Sequence, residues 1–196
     1  MKKVLAAAIL SALAAPTFAE GFYAGFDVGS ASADTSSIVT VKAPSASASK
    51  NKTVAGIYAG YDFTPNWAVE AKYTGAGENK ATTAAGGVFN VKADAFALTL
   101  VGTAPLSDSF EVYGKLGYAS TKTTVTSSIA GAYSGASRNA ATYGVGAQYN
   151  VSKAVGIRLG YDVYPAQVQD NTAGSPTLGN NNFNTSVWAI GAKFNF

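Results

Sequence analysis

The chain has 196 residues, 14 Lys or Arg against 11 Asp or Glu, and neither cysteine nor histidine. Disulfides, thiolate nucleophiles and imidazole acid–base chemistry are therefore excluded at the outset. Charged residues are only 13% of the chain, about half the share of a soluble domain. Yet nothing after residue 19 approaches the roughly 20 consecutive apolar residues of a membrane helix.

The N-terminus reads as an export signal. Lys2 and Lys3 precede an apolar stretch over 4–15, and Thr17-Phe18-Ala19 is a small-x-small cleavage site after Pro16. Residues 1–19 form the signal peptide, cut after Ala19, and 20–196 form one domain. Loss of Lys2 and Lys3 leaves 12 basic against 11 acidic residues, a net +1 that gives no reason to expect nucleic acid.

Eight segments then alternate with a period of two, the signature of strands whose two faces meet different surroundings. The first, 22–29, sets Phe22, Ala24, Phe26 and Val28 against Tyr23, Gly25, Asp27 and Gly29. The second, 54–63, sets Ile57, Ala59, Tyr61 and Phe63 against Tyr58, Gly60 and Asp62. The third, 67–74, opposes Trp67, Val69, Ala71 and Tyr73 to Ala68, Glu70, Lys72 and Thr74. The fourth, from about 91 to 103, opposes Phe96, Leu98 and Leu100 to Ala97, Thr99 and Val101.

The fifth, 110–120, is the cleanest, with Phe110, Val112, Leu116 and Tyr118 on one face and Glu111, Tyr113 and Lys115 on the other. The sixth, 142–151, places Tyr143, Val145 and Tyr149 opposite Gly144, Gly146 and Gln148. The seventh, 155–164, places Ile157, Leu159 and Tyr161 opposite Arg158, Gly160 and Asp162. The last, 187–196, carries Trp188, Ile190, Phe194 and the terminal Phe196 opposite Val187, Ala189 and Lys193. Links at 64–66, 104–109 and 152–153 are short and rich in turn formers. Those over 30–53, 75–90, 121–141 and 165–185 are long and rich in Ser, Thr, Ala, Gly and Asn, a composition that predicts mobile surface loops.

An even number of strands, apolar on one face, with short and long links in alternation, predicts an all-β fold: an eight-stranded antiparallel up-and-down transmembrane β-barrel. Closure leaves no unpaired edge in hydrocarbon. The enclosed face carries Asp27, Asp62, Glu70, Glu111 and Asp162 against Lys72, Lys115, Arg158 and Lys193, with Gln148 among them. Glu70, Lys115 and Arg158 fall roughly 13–20 Å above the short turns, near mid-barrel. Because eight strands leave room for side chains and little else, the expectation is an ion-paired lumen, with a conducting gate or a catalytic carboxylate pair as rivals. Tyr61, Phe63, Trp67, Phe110, Tyr149, Phe194 and Phe196 form one aromatic belt, and Phe26, Tyr73, Tyr118 and Trp188 the other. A soluble lipocalin-like barrel is the structural rival, and it requires an apolar interior.

Ala59-Gly60-Tyr61-Asp62-Phe63-Thr64-Pro65-Asn66-Trp67-Ala68-Val69-Glu70 resembles the second and third strands, with their tight turn, of the outer membrane protein A (OmpA-like) barrel family. Further matches run over 98–117, with Pro105, Tyr113, Lys115 and Leu116, and over 146–161, with Tyr149, Arg158 and Leu159. The resemblance implies a protein expected to end with the barrel, without the peptidoglycan-binding domain of the longer members, and more similar in size to short OmpX and Ail-type barrels. The resemblance implies a lumen charge network in which Glu70 and Arg158 match two members. Val101 stands where the family has a lysine and Gln148 where it has a glutamate, so the family's gate does not carry over whole.

The expected function is that of an integral protein of the Gram-negative outer membrane, contributing to envelope integrity and surface loop display. A narrow low-conductance pore or a loop-mediated adhesin are the alternatives. Neither enzymatic activity, a cofactor nor a metal is expected. Expected partners are outer-membrane lipid and lipopolysaccharide, a surface or host ligand at the loops, and the barrel assembly machinery, which would read the strand ending in Phe196.

Overall fold

A computed structural model describes residues 21–33, 52–76, 79–82, 88–127, 134–168 and 181–196. Among them are nine strands: β1 (Phe22–Ala33), β2 (Lys52–Thr64), β3 (Trp67–Ala76), β4 (Asn79–Thr82), β5 (Val88–Pro105), β6 (Phe110–Ser127), β7 (Ser134–Asn150), β8 (Val155–Val168) and β9 (Asn181–Asn195). Their order is β3-β2-β1-β9-β8-β7-β6-β5-β4, and β3 also pairs with β5. Eight antiparallel strands therefore close into a ring, and β4 continues along β5 beyond it. The predicted signal over 1–19 and most of the first long loop, 34–51, lie outside the described residues.

The register keeps like with like. Tyr23 faces Gly60, Gly25 faces Tyr58, and Val101 faces Lys115, all on the enclosed side. A slip of one residue would send every one of these side chains into lipid. The three short turns share one device, a hydroxyl that accepts from the backbone two and three residues on. Thr64 Oγ1 receives the N–H of Asn66 and Trp67, Ser107 Oγ those of Ser109 and Phe110, and Ser152 Oγ those of Ala154 and Val155.

The faces are inverted relative to a soluble protein. Leu116 is 66% exposed and Ile57 64%, whereas Glu70 is 0% and Arg158 6% exposed. An apolar outer wall around an ionised interior suits hydrocarbon as the outside solvent, and removes the lipocalin-like alternative.

One expectation of the strand boundaries needs correction. Residues 121–141, 165–185 and 75–90 were expected to be loops throughout, but β6 runs to Ser127, β7 begins at Ser134, β8 reaches Val168, β9 begins at Asn181, and β4 lies within the third. Their Ser-, Thr-, Ala-, Gly- and Asn-rich sequence carries no apolar alternation to announce the backbone pairing that continues there. The interior changes character along its height. Towards the long-loop end it becomes a layer of mostly small apolar side chains: Ala31, Val54, Ala95, Ala97, Ala119 and Val187 among them.

Candidate functional site: the lumen charge network

Glu70 and Lys72 sit two apart on β3, so the strand's own period aims both inward. Glu70 Oε1 accepts from Lys115 Nζ at 2.7 Å, and Oε2 accepts from Arg158 Nη1 at 2.7 Å and from the Tyr23 hydroxyl at 3.0 Å. One carboxylate thus ties together β1, β3, β6 and β8. Two steps further up, Lys72 Nζ lies 2.6 Å from Asp27 and 3.0 Å from Asp162. The Tyr164 hydroxyl donates to Asp162 at 3.4 Å and lies 3.4 Å from Thr74. Lys193 pairs with Asp62 at 3.1 Å nearer the turns, its ammonium 3.9 Å from the centre of the Tyr23 ring.

The charges balance across clusters rather than within them. Glu70 with Lys115 and Arg158 carries +1, and Lys72 with Asp27 and Asp162 carries −1, so the six together are neutral. Neutrality is what burial demands, since an uncompensated ion in so dry a place costs several kcal/mol, order of magnitude. A void of about 10 Å³ separates the two groups, and a second of about 10 Å³ lies between Glu70, Lys72 and Tyr164. Each has room for one water at most. Below them a vestibule of about 510 Å³ opens among the short turns, bordered by Asp62, Asp108, Glu111, Lys153, Lys193 and Asn195.

All ten predicted lumen residues face inward. Gln148 enters through hydrogen bonds: its Oε1 accepts from Arg158 Nε at 2.8 Å and its Nε2 donates to Asn150 Oδ1 at 2.6 Å. Glu111 was expected among the ion pairs, yet it is reached through the Asn150 side-chain amide, because it lies at the turn-end mouth where the vestibule begins. Val101 itself brings no charge to the network. Lys115 is the direct cross-strand partner of Val101 and delivers its ammonium to Glu70 from there.

Three tyrosines escaped the sequence reading. Tyr23, Tyr58 and Tyr113 surround Arg158, with ring centres 5.4, 5.2 and 4.8 Å from its guanidinium carbon. Each lies flat across a glycine of the neighbouring strand. A Cβ at Gly60 would overlap the Tyr23 ring, one at Gly25 the Tyr58 ring, and one at Gly146 the Tyr113 ring. Tyr58 then donates to the Ala192 carbonyl at 3.0 Å and Tyr113 to the Leu159 carbonyl at 3.3 Å. The available signal was an inward tyrosine opposite an inward glycine, readable only once register is known.

Of the predicted belt residues, Tyr61, Phe63, Trp67, Tyr73, Phe110, Tyr118, Tyr149, Trp188 and Phe196 are exposed on the outer wall. Phe194 is half-buried because it stacks on Phe26 at 6.2 Å. That contact also places Phe26 beside Phe194, not in a separate upper belt. Tyr143, Phe96 and Phe22 join the outer aromatics.

A closed eight-stranded barrel with a greasy exterior and an ion-paired interior is a transmembrane barrel of the outer-membrane type. The chain belongs to the outer membrane protein beta-barrel domain family, which matches residues 4–196. No curated protein matches the chain. Among solved structures it is similar to Neisserial surface protein A (NspA), at 17% identity over 90% of this chain and 97% of that one, with a TM-score of 0.64. It is also similar to Ail, the attachment invasion locus protein of Yersinia pestis, at 16% identity over 90% and 97%, TM-score 0.56. A second Ail structure, in complex with the heparin analogue sucrose octasulfate, gives 18% identity over the same shares and a TM-score of 0.55. At these identities the likeness is one of fold. Family and fold place the protein in the bacterial outer membrane.

Proposed function

We propose that this protein is a non-conducting, non-enzymatic outer-membrane scaffold that adds to envelope integrity and carries its long loops at the cell surface. The observation behind this reading is the grip on Glu70, fully buried and held by Lys115 and Arg158 at 2.7 Å each. Chains from four strands meet at that carboxylate, with single-water voids beside it. A side-chain plug of this kind braces a narrow barrel and obstructs ions. Absence of histidine and cysteine removes the commonest hydrolytic machinery. Cleavage after Ala19, recognition of the strand ending in Phe196 by the assembly machinery, and contact with lipid and lipopolysaccharide belong to the same proposal.

The test is electrical. Purified protein in planar bilayers is expected to give no discrete openings, and Glu70→Ala is expected to introduce them. Stepwise conductance from the unaltered protein, abolished in Arg158→Ala, would establish the gated-pore reading instead.

A second reading, loop-mediated adhesion, is favoured by the charges of the long links and the strand ends beside them: Lys42, Lys50, Lys52, Lys80, Lys122 and Arg138 against Asp34, Glu78 and Asp170. A basic excess suits an acidic surface polymer, and the Ail structure holding a heparin analogue shows that a barrel of this fold takes such a ligand. Cells displaying the protein with Lys42, Lys50 and Lys52 replaced by glutamine would then lose retention on immobilised heparin while the barrel still folds.

A further inference from the structure

Seven of the eight seams in the ring are bridged by the chain itself, through a turn or a loop. The exception is the seam between β1 and β9, the first and last strands of the ring, which meet over eleven register pairs from Tyr23–Asn195 to Ala33–Thr185. No short link returns a frayed β1 to β9, and closing a loop that long carries the largest entropy cost in the molecule. The ladder alone would make this the weakest line of the wall.

Phe26 of β1 stacks on Phe194 of β9 on its outer side, and inside the lumen two side-chain contacts from β2 cross it. The Tyr58 hydroxyl on β2 passes over Gly25 of β1 and donates to the Ala192 carbonyl of β9 at 3.0 Å. Asp62 on β2 meets Lys193 of β9 at 3.1 Å, and that ammonium rests on the ring of Tyr23 from β1. Both contacts leave β2, vault β1 and land on adjacent residues of β9. Neither survives if β1 and β9 part. We infer that Tyr58 and Asp62 form a strap that latches the closing seam, so that the barrel resists opening there through lumen side chains rather than through chain connectivity. Tyr113 builds the same bridge elsewhere, from β6 over Gly146 of β7 to Leu159 of β8. That bridge supplies an internal control, because it crosses no part of the β1–β9 seam.

Residue-resolved amide exchange of the full mature chain in phospholipid nanodiscs tests the latch, since exchange reads local opening ladder by ladder. Tyr58→Phe keeps the ring and removes the hydroxyl. It is expected to speed exchange of the paired amides in 24–28 and 190–194 about three- to tenfold, the range that one net hydrogen bond carries. The β5–β6 and β7–β8 ladders should keep their rates. Tyr113→Phe should do the reverse, loosening β7–β8 and sparing β1–β9. Lys193→Met, which removes the second half of the strap, should loosen the same seam as Tyr58→Phe. Unchanged exchange in Tyr58→Phe and Lys193→Met would overturn the inference, and so would equal acceleration of every ladder.

Discussion

Replacing Glu70 by alanine removes one carboxylate and strands two cations. The lost contacts are the 2.7 Å pairs to Lys115 and Arg158 and the 3.0 Å bond from Tyr23. Breaking a buried pair by deleting one partner costs about 3–5 kcal/mol, because the other charge stays buried without compensation. Two features soften the loss here. Arg158 keeps Gln148 at 2.8 Å and lies 4.8 Å from the Tyr113 ring, and Lys115 keeps that ring at 5.3 Å. Desolvated cation–π contacts carry up to about 2 kcal/mol, so the expected loss sits near the lower end, at about 3 kcal/mol. Urea unfolding in lipid vesicles, followed by tryptophan fluorescence, measures it. A second variant separates charge from shape: Glu70→Leu with Lys115→Met leaves Arg158 as the cation balancing the −1 cluster of Lys72, Asp27 and Asp162, so the interior stays neutral and should recover most of the loss, as apolar replacement of buried pairs commonly does. A Glu70→Ala loss below about 1 kcal/mol, the scale of an exposed pair, would refute the buried-grip account. A double variant as weak as the single one would refute the charge accounting.

Two further substitutions probe the wall and its packing. Gly60→Ala puts a methyl group into the Tyr23 ring and the Val69 carbonyl, and overpacking of this kind should cost about 1–3 kcal/mol in the same unfolding assay. Stability within error of the parent would mean that the ring moves aside freely. Leu116→Arg places a charge on the outermost part of the wall at mid-strand, where lipid-facing arginine costs about 2–4 kcal/mol. Stability in vesicles should fall by that much, and equal stability of the two proteins would mean that position 116 does not meet hydrocarbon.

The period of two carried most of what the sequence could tell. Phe110 to Tyr118 assigned faces without ambiguity, and those faces decided which residues would be enclosed. Pairing partners inside the lumen were not legible in the same way. That Lys72 would reach Asp27 and Asp162, while Lys115 and Arg158 converge on Glu70, depends on how far each strand is staggered against the next, and stagger leaves no mark in a single strand. Strand ends were also hidden. The stretch from Thr121 to Ser127 pairs with β5, yet its run of Thr, Lys and Ser lacks the apolar alternation that marks the strands lower down. Tyrosine over glycine was invisible for a related reason: Tyr58 and Gly25 are neighbours only through the β1–β2 register.

Position 101 has a wider consequence. Valine there adds no charge, and Glu70 of β3 is answered by Lys115 of β6 and Arg158 of β8. In a closed sheet, then, an enclosed acid can draw its cations from strands it does not pair with. Tallying the ions around each enclosed acid follows what the fold maintains, and reading any one strand alone does not.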